Sequence, residues 1–268
     1  IVFGDWSSDV CSSDLIADEE SRLPHRHLIA QNVANFRLAV HDDDLVPEAS
    51  VVNFHYAYPE AVEWNRGLGR AVGCDETGFA GRSDDHYRRQ AWRFVLSGGA
   101  LFNHLDYSFT VGHEDGGDTE NEAPGGGSPA LRRQLRVLSD FLQRFDLARL
   151  HPDPLLAARA PGVLVHALSD PGKAHAVYVQ GRGPTTLMLN LAAGRWIAEW
   201  ISVEDGHVLQ RDTVVARSDG TCPLVSPRFA DAVALGLRPA ERSRREQTPS
   251  ESEKWQCGNT QPRRSRPS

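Results

Sequence analysis

The sequence predicts an α/β unit built as about half of a (β/α)8 barrel over residues 16–158, followed by a small all-β sandwich over residues 159–239. Three observations predict it. In the first part, short apolar runs alternate with longer amphipathic stretches, the pattern of βαβ units on a parallel sheet. Each of those runs ends in polar residues, and the C-terminal ends of parallel strands are where barrel enzymes carry their chemistry. After Pro161 the amphipathic stretches stop, and short apolar runs follow one another between turn residues.

The elements follow in chain order. Within HLIAQNVANF (27–36) a strand ends near Gln31 and Asn32. SVVNFHYA (50–57) is a stronger strand, with two valines, then Phe and Tyr, closed by Pro59. A short helical stretch runs from Glu60 to Leu68. RAVGC (70–74) is the next strand and leads into Asp75-Glu76-Thr77-Gly78. Asp84 to Leu96 reads as a helix capped by Ser83 or Asp84, with Tyr87, Ala91, Phe94 and Val95 on one face and Gly98-Gly99 as its stop. Arg88 and Arg89 read as solvated residues on this helix, and Trp92 as core. ALFNHL (100–105) gives a fourth strand. A loop rich in Gly, Asp and Glu spans 112–128. A long helix starts at Ser128 or Pro129 and runs to about Leu147, with Leu131, Leu135, Leu138, Phe141, Leu142 and Phe145 at helical spacing. A small doubly wound sheet also fits this count of strands and helices. The polar strand ends favour the barrel: Gln31 and Asn32, then His55 and Tyr56, then Asp75 and Glu76, then Asn103, His104 and Asp106. Beyond Pro161, strands are predicted at 163–168, 174–180, 185–191, 195–201 and 208–215, separated by Asp170-Pro-Gly, Gly181-Arg-Gly-Pro, Ala193-Gly and Glu204-Asp-Gly. Trp196 and Trp200 lie four apart on one strand. They therefore face the same way, which fits sandwich core better than a sugar platform.

Both ends differ from this body. Residues 5–15, DWSSDVCSSDL, carry no apolar periodicity and resemble the conceptual translation of a sequencing-adapter oligonucleotide, so residues 1–15 are expected to be an artefact and the gene to continue upstream. A polar linker is the plainer reading. Residues 240–268 hold one large apolar residue, Trp255, among Arg, Ser, Pro, Glu and Gln, and are expected to be disordered, because such a segment buries too little surface to offset its ordering entropy.

Bulk composition removes several function classes. The chain has 268 residues, 40% hydrophobic and 24% charged, which suits two modest cores. A net charge of −7 offers no basic face for nucleic acid. No run of about 18 apolar residues is present for a membrane span. The four cysteines, Cys11, Cys74, Cys222 and Cys257, match neither a zinc pattern nor a disulfide scaffold and leave the compartment open; a secreted or periplasmic location is favoured over a cytoplasmic one. Serine-hydrolase elbows, P-loops and Gly-x-Gly-x-x-Gly fingerprints are absent. His86, His104, Asp106, His113, Glu114 and Asp115 could supply a metal-dependent hydrolase, but no HExxH or paired-His spacing joins them, and the acidic loop fails the EF-hand pattern. No metal and no organic cofactor is expected.

Residues 27–116 resemble bacterial barrel enzymes of the cellulase-like clan of retaining glycoside hydrolases, including apiosidase-like proteins. Three stretches carry the resemblance: NFHYAYP (53–59), GCDETGF (73–79) and GGALFNHLDYSFTVGHEDG (98–116). Residues 163–215 resemble the β-sandwich that follows such barrels and is labelled a collagen-binding domain, through Trp196–Trp200 and the turn Glu204-Asp205-Gly206. The resemblance implies that Glu76 is the nucleophile at the end of the seventh strand, supported by His55 and Tyr56 at the end of the sixth. It also implies an acid/base glutamate after an Asn on the fourth strand. No Asn-Glu pair precedes His27, and Glu19 and Glu20 sit in a helical ADEESR, so that residue is expected upstream and the fragment alone is expected to be inactive.

Retaining hydrolysis needs two carboxyl groups about 5–5.5 Å apart across the glycosidic bond. The nucleophile must stay ionised, so donors such as Tyr and His should surround it. Tyr107, Phe109 and Trp64 are available to stack on sugar rings, and Asn32, Asn103, His104, Asp106 and Tyr107 are candidates to bind the carbohydrate substrate. Plainer roles stand beside these. Glu76 could serve only the start of the following helix, His55 could be a satisfied structural histidine, and Asn103, His104 and Asp106 could satisfy one another. The competing function is a non-catalytic carbohydrate-binding or adhesion protein. A half-barrel also exposes strand edges, so the chain is expected to self-associate or aggregate; its oligomeric state is not read from the sequence.

Overall fold

A computed structural model describes residues 10–218 and 220–240. The expectations for residues 1–9 and 241–268 lie outside the described residues. Helix α1 (Val10–Ser21) opens this region and takes in residues 10–15 of the stretch expected to be an artefact. They continue the turn of the helix-favouring IADEES segment, whose end is fastened by an Arg22–Asp18 pair at 2.9 Å.

Four parallel strands follow: β1 (Ile29–Asn32), β2 (Ala49–His55), β3 (Ala71–Glu76) and β4 (Leu101–Phe102). Their order in the sheet is their order in the chain, β1-β2-β3-β4. A doubly wound sheet reverses its strand order at a switch point; this sheet does not. It is open among the described residues. Strand alternation sorts its two faces. Val52, Phe54, Val72 and Cys74 point one way and are buried against Ala61 and Val62 of α2 (Ala61–Trp64) and Phe94 of α3 (Asp84–Leu96). Asn53 and His55 point the other way, beside Gly73. A Cβ on Gly73 would stand 2.1 Å from Asn53 Oδ1, so the Asn53 side chain lies where only glycine leaves room.

Helix α3 has the bounds its sequence pattern predicts and buries a wider stripe. Tyr87, Arg88, Ala91, Trp92, Phe94 and Leu96 are all buried. The expectation of solvated residues is overturned for Arg88, while Arg89 keeps 38% of its side chain exposed. Arg88 is 2% exposed and donates to Asp231 Oδ2 at 2.8 Å, and Arg89 donates to Asp231 Oδ1 at 2.7 Å. The cause is tertiary: α3 is covered by a strand from the far end of the chain. Helix α4 (Pro129–Leu142) starts as its sequence demands. Ser128 Oγ accepts from Leu131 N–H, and Pro129 occupies the first turn, where its missing N–H costs nothing. It ends at Leu142 rather than Leu147. Phe145 still reaches Phe141, ring centroids 5.3 Å apart, from a turn, which is why its spacing reads as helical.

The remaining chain forms two antiparallel sheets. One has six strands in the order β11-β10-β13-β8-β7-β5: β5 (His151–Pro152), β7 (Val163–Asp170), β8 (Ala174–Gly181), β10 (Gly194–Ser202), β11 (Val208–Ala216) and β13 (Ala232–Pro239). The other has three, β12 (Cys222–Val225), β9 (Thr186–Leu189) and β6 (Ala157–Arg159). Side chains of both sheets meet in one core around Trp196, Trp200, Val177, Val179, Leu187, Leu189 and Leu235. His151, Pro152 and Ala157, grouped with the first part in the sequence, pair into these sheets.

Strands β8 and β13 are buried on both faces. Val177 and Val179 face the core between the sheets; Ala176 and Tyr178 face α3 and α4. Trp92 of α3 stacks on Tyr178, centroids 5.5 Å apart and planes at 17°. The parallel and antiparallel parts therefore share a continuous apolar contact, ringed by the Arg88–Asp231–Arg89 cluster.

Candidate active site

Glu76 is the last residue of β3, and the chain around it is bent to serve it. A register shift between Phe54 and His55 sets His55 opposite Glu76 instead of opposite Asp75. The next residue, Tyr56, takes φ 53°, and its N–H donates to Glu76 O at 2.8 Å. That left-handed turn swings the Tyr56 ring back over the strand end, where its hydroxyl donates to Glu76 Oε1 at 2.5 Å. Burial first, and then this bond to a carboxylate, push the Tyr56 phenol well above the ordinary tyrosine range. It remains a donor throughout the physiological range.

His55 serves two carboxylates. Its Nδ1 lies 3.3 Å from Glu76 Oε2 and 3.2 Å from Asn35 Oδ1, and its Nε2 lies 3.1 Å from Asp75 Oδ1. With a proton on Nδ1, the ring donates to Asn35 Oδ1, with Glu76 Oε2 beside that bond. The Asp75 approach lies off the hydrogen-bond line, so Asp75 acts on the ring as a neighbouring charge. Tyr56 thus donates to one oxygen of Glu76, and the His55 ring stands beside the other.

Further aromatic rings pack around Tyr56. Phe36 stacks on Tyr56 at 5.4 Å, Phe79 meets Tyr56 edge-on at 5.1 Å, and Tyr107 meets Phe79 edge-on at 6.3 Å. Phe36 and Phe79 are 66% and 55% exposed. Phe36, Tyr56 and Phe79 are also the three non-glycine residues with positive φ among the described residues. Each such conformation costs on the order of 1–3 kcal/mol and collects at functional sites. Here Phe36 and Phe79 both pack on Tyr56, the ring that bonds Glu76. The Tyr107 phenol is raised by burial and then by the charge of Glu76.

The remaining sequence candidates divide. Asn103 lies beside the site and donates from Nδ2 to Asp75 O at 3.0 Å. Asn32 ends β1, one strand further out, and no hydrogen bond ties its side chain to Glu76 or His55; Asn35 takes that place through His55. His104 and Asp106 point elsewhere and do not satisfy each other. His104 is buried, shares a 2.9 Å bond with Thr77 Oγ1 and packs on Tyr87 at 4.1 Å; burial above all holds its imidazole below the usual histidine range. Asp106 is occupied by Arg132 at 2.6 Å and by the N–H and hydroxyl of Ser108. Burial would raise its carboxyl, but these donors outweigh it and hold it low. Of the expected sugar-stacking rings, Tyr107 is in place. Phe109 lies under Arg132, 4.8 Å from the guanidinium, and Trp64 closes α2 on the way back to the start of β3. Three carboxylates of the acidic loop are taken up locally: Glu114 accepts from Gly112 N–H, Asp115 from Gly117 N–H, and Asp118 from the Thr110 hydroxyl and Asn121 N–H. Cys74, under the sheet, has its thiol pushed up to about 12, chiefly by burial, which removes it as a nucleophile.

Sequence reasoning missed Asn35, Phe36 and Phe79. The last two act only through left-handed backbone that no periodicity reports. The available signal was their position, just past a strand end.

Neither a family model nor a curated protein matches the chain. Solved structures do. A glycoside hydrolase superposes with a TM-score of 0.59 at 13% identity, over 81% of this chain and 59% of its own. The chain shares its fold with glycoside hydrolases. A glycoside hydrolase family 5 protein from Bacteroides vulgatus matches with a TM-score of 0.57 at 13% identity, over 84% of this chain and 58% of its own. A family 30 subfamily 8 xylanase from Clostridium acetobutylicum gives 0.52 at 13%, over 85% and 59%. The chain therefore spans just under three-fifths of the length of these structures. A match over four-fifths of this chain has to include both its parallel and its antiparallel sheets, since neither part alone is that large. The likeness implies a partial (β/α)8-like fold for the parallel part.

Proposed function

We propose that this chain is part of a retaining glycoside hydrolase that cleaves O-glycosidic bonds in polysaccharides or oligosaccharides, with Glu76 as nucleophile. The observation that carries the reading is the Tyr56 hydroxyl donating to Glu76 at 2.5 Å and the His55 ring 3.3 Å from its other oxygen, at a strand end, with Phe36 and Phe79 packed on Tyr56. The sequential strand order supports a barrel segment, with the functional end at the C-termini of its strands.

In this reading the sugar ring rests on the faces of Phe36, Phe79 and Tyr107, its apolar C–H groups against the rings. Glu76 attacks the anomeric carbon. As it does so its negative charge is lost to the new bond, so the groups beside it must aim it without blocking the attacking lone pair. Tyr56 and His55 do this from the side. A second carboxyl group protonates the leaving oxygen and then activates water. Asp75 is a poor candidate for it: it sits on the same strand as Glu76 and turns its inner oxygen to His55. We assign that role to a segment outside the described residues, and the antiparallel sheets to an accessory domain.

The test is Glu76→Gln in the full-length gene product. Loss of turnover with an unchanged melting temperature supports the assignment. Undiminished turnover overturns it. Sugar bound and left uncleaved by the wild-type protein points to the binding-protein alternative instead.

A further inference from the structure

One short turn touches both of the side chains that attend Glu76. Beyond β1 the chain reverses at Ala34–Arg37, where Arg37 N–H donates to Ala34 O at 3.1 Å and Phe36 takes the left-handed position, φ 63°. The turn is fastened on both sides. Toward the sheet, Val33 N–H donates to Asn53 O at 2.8 Å and Phe36 N–H to His55 O at 3.2 Å. Away from it, Arg37 pairs with Asp44 at 2.6 Å and donates to Ala39 O at 3.0 Å. A non-glycine residue at positive φ is strained, and such strain persists where surrounding bonds over-determine the backbone. From this fixed turn Phe36 lays its ring on Tyr56, and Asn35 sets its Oδ1 3.2 Å from His55 Nδ1.

Three side-chain oxygens stand around the His55 ring. Asn35 Oδ1 and Glu76 Oε2 lie by Nδ1, and Asp75 Oδ1 lies 3.1 Å from Nε2. The Asn35 oxygen meets the ring in hydrogen-bond geometry, whereas Asp75 Oδ1 is buried without a hydrogen-bond partner. A neutral imidazole carries one proton, and the acceptor at one nitrogen decides where it sits. A proton on Nδ1 bonds Asn35 and presents a positive edge to Glu76 Oε2. A proton on Nε2 answers the charge of Asp75 instead and turns the Nδ1 lone pair on the Glu76 carboxylate, which it repels. Asn35 and Asp75 thus compete for one proton from opposite edges of the ring.

We propose that Asn35 is a positioning residue for the nucleophile: it holds the His55 proton on Nδ1 and so fixes the ring edge that faces Glu76. This role rests on the glycosidase reading and adds to it a residue that acts on Glu76 through His55.

Two measurements test it. Long-range 1H–15N correlation reads the His55 ring nitrogens in the full chain at neutral pH, in wild type and in Asn35→Ala, with the signals assigned by their loss in His55→Ala. Turnover of glycosides is measured in the full-length protein for Asn35→Ala, His55→Ala and the double variant, after melting curves establish that each folds. The expected ring carries its proton on Nδ1 in wild type and shifts it toward Nε2 in Asn35→Ala. In the same variant kcat and kcat/KM fall together by roughly three- to tenfold, the loss of one ordinary hydrogen bond, with KM unchanged. Made in His55→Ala, the substitution costs nothing further. A wild-type ring protonated on Nε2, or on both nitrogens, overturns the role of Asn35 without need of any variant of it. So does a tautomer or a turnover indifferent to Asn35→Ala, or an equal loss with and without His55; each of these leaves Glu76 standing as the nucleophile. A full-length protein that turns over no glycoside overturns the glycosidase reading itself, and the role of Asn35 falls with it.

Discussion

Replacing Asp231 by alanine leaves the Arg88 guanidinium, 2% exposed, without its chief counter-charge. In the native protein Arg88 meets Asp231 at 2.8 Å, Asp85 at 2.7 Å and Gln134 at 3.2 Å, and Asp231 also takes Arg89 at 2.7 Å. Breaking a buried ion pair by removing one partner costs about 3–5 kcal/mol, because the other charge stays buried. Two features lower that figure here: Asp231 is itself 24% exposed, and Asp85 remains. About 2–3 kcal/mol is the reasoned cost. For a chain of this size that is a fall in melting temperature of roughly 5–10 °C. Because Arg88 lies on α3 and Asp231 just ahead of β13, the loss should lower the whole transition rather than split it. Urea and thermal unfolding followed by tryptophan fluorescence measure both. The matched control is Asp140→Ala, which breaks a surface pair whose partners are 72% and 51% exposed and should cost less than about 0.5 kcal/mol. Equal effects of the two substitutions would refute the claim that a buried ionic cluster joins the two parts.

Further outcomes follow from the same geometry. Asp231 has its carboxyl held below the ordinary value, because bonds from Arg89 and Arg88 outweigh burial; a depressed native value stabilises above the unfolded one. Its contribution should be complete at neutral pH and be lost as pH falls below about 4, through the native value, so the gap between wild type and Asp231→Ala should close in acid melts. Gly73→Ala places a Cβ against Asn53 Oδ1 and should cost about 1–3 kcal/mol by overpacking, with recovery in the Gly73→Ala/Asn53→Ala double variant; additivity of the two would contradict the contact. Trp200→Ala empties the core between the antiparallel sheets and should cost about 3–5 kcal/mol in denaturant unfolding. Tyr56→Phe removes one hydrogen bond to a charged group, worth about 1.5–3 kcal/mol, and should lower turnover of the full-length protein by roughly 10- to 100-fold with little change in melting temperature.

The parts of this structure that were legible in the sequence are those decided locally. The bounds of α3 follow from its period and its Gly98-Gly99 stop, and the core role of Trp196 and Trp200 from their spacing on one strand. The strand ends at Asn32, His55 and Glu76 could be placed because polar residues interrupt apolar runs there. The parts decided at a distance were not. Strand β13 lies at the centre of its sheet with both faces buried, so it has no alternation to detect. Arg88 has the sequence context of a surface residue and is buried only because β8 and β13 cover α3. In the site, Glu76, His55 and Tyr56 are brought together, whereas Asp106 has a basic partner 26 residues away in Arg132 that its own neighbourhood does not announce. Phe36 and Phe79 depend on left-handed turns at residues that normally avoid them.

The central claim is that Glu76 is a nucleophile, and a trapping experiment reaches it most directly. A 2-deoxy-2-fluoro glycoside with a dinitrophenolate leaving group needs no proton donor, so the result does not depend on where the second carboxyl group lies. The full-length protein is incubated with such reagents, digested, and the peptides weighed. The account predicts one fluoroglycosyl adduct on the peptide that contains Glu76, absent in Glu76→Gln. An adduct on another carboxylate, in a protein that turns over glycosides, would contradict it.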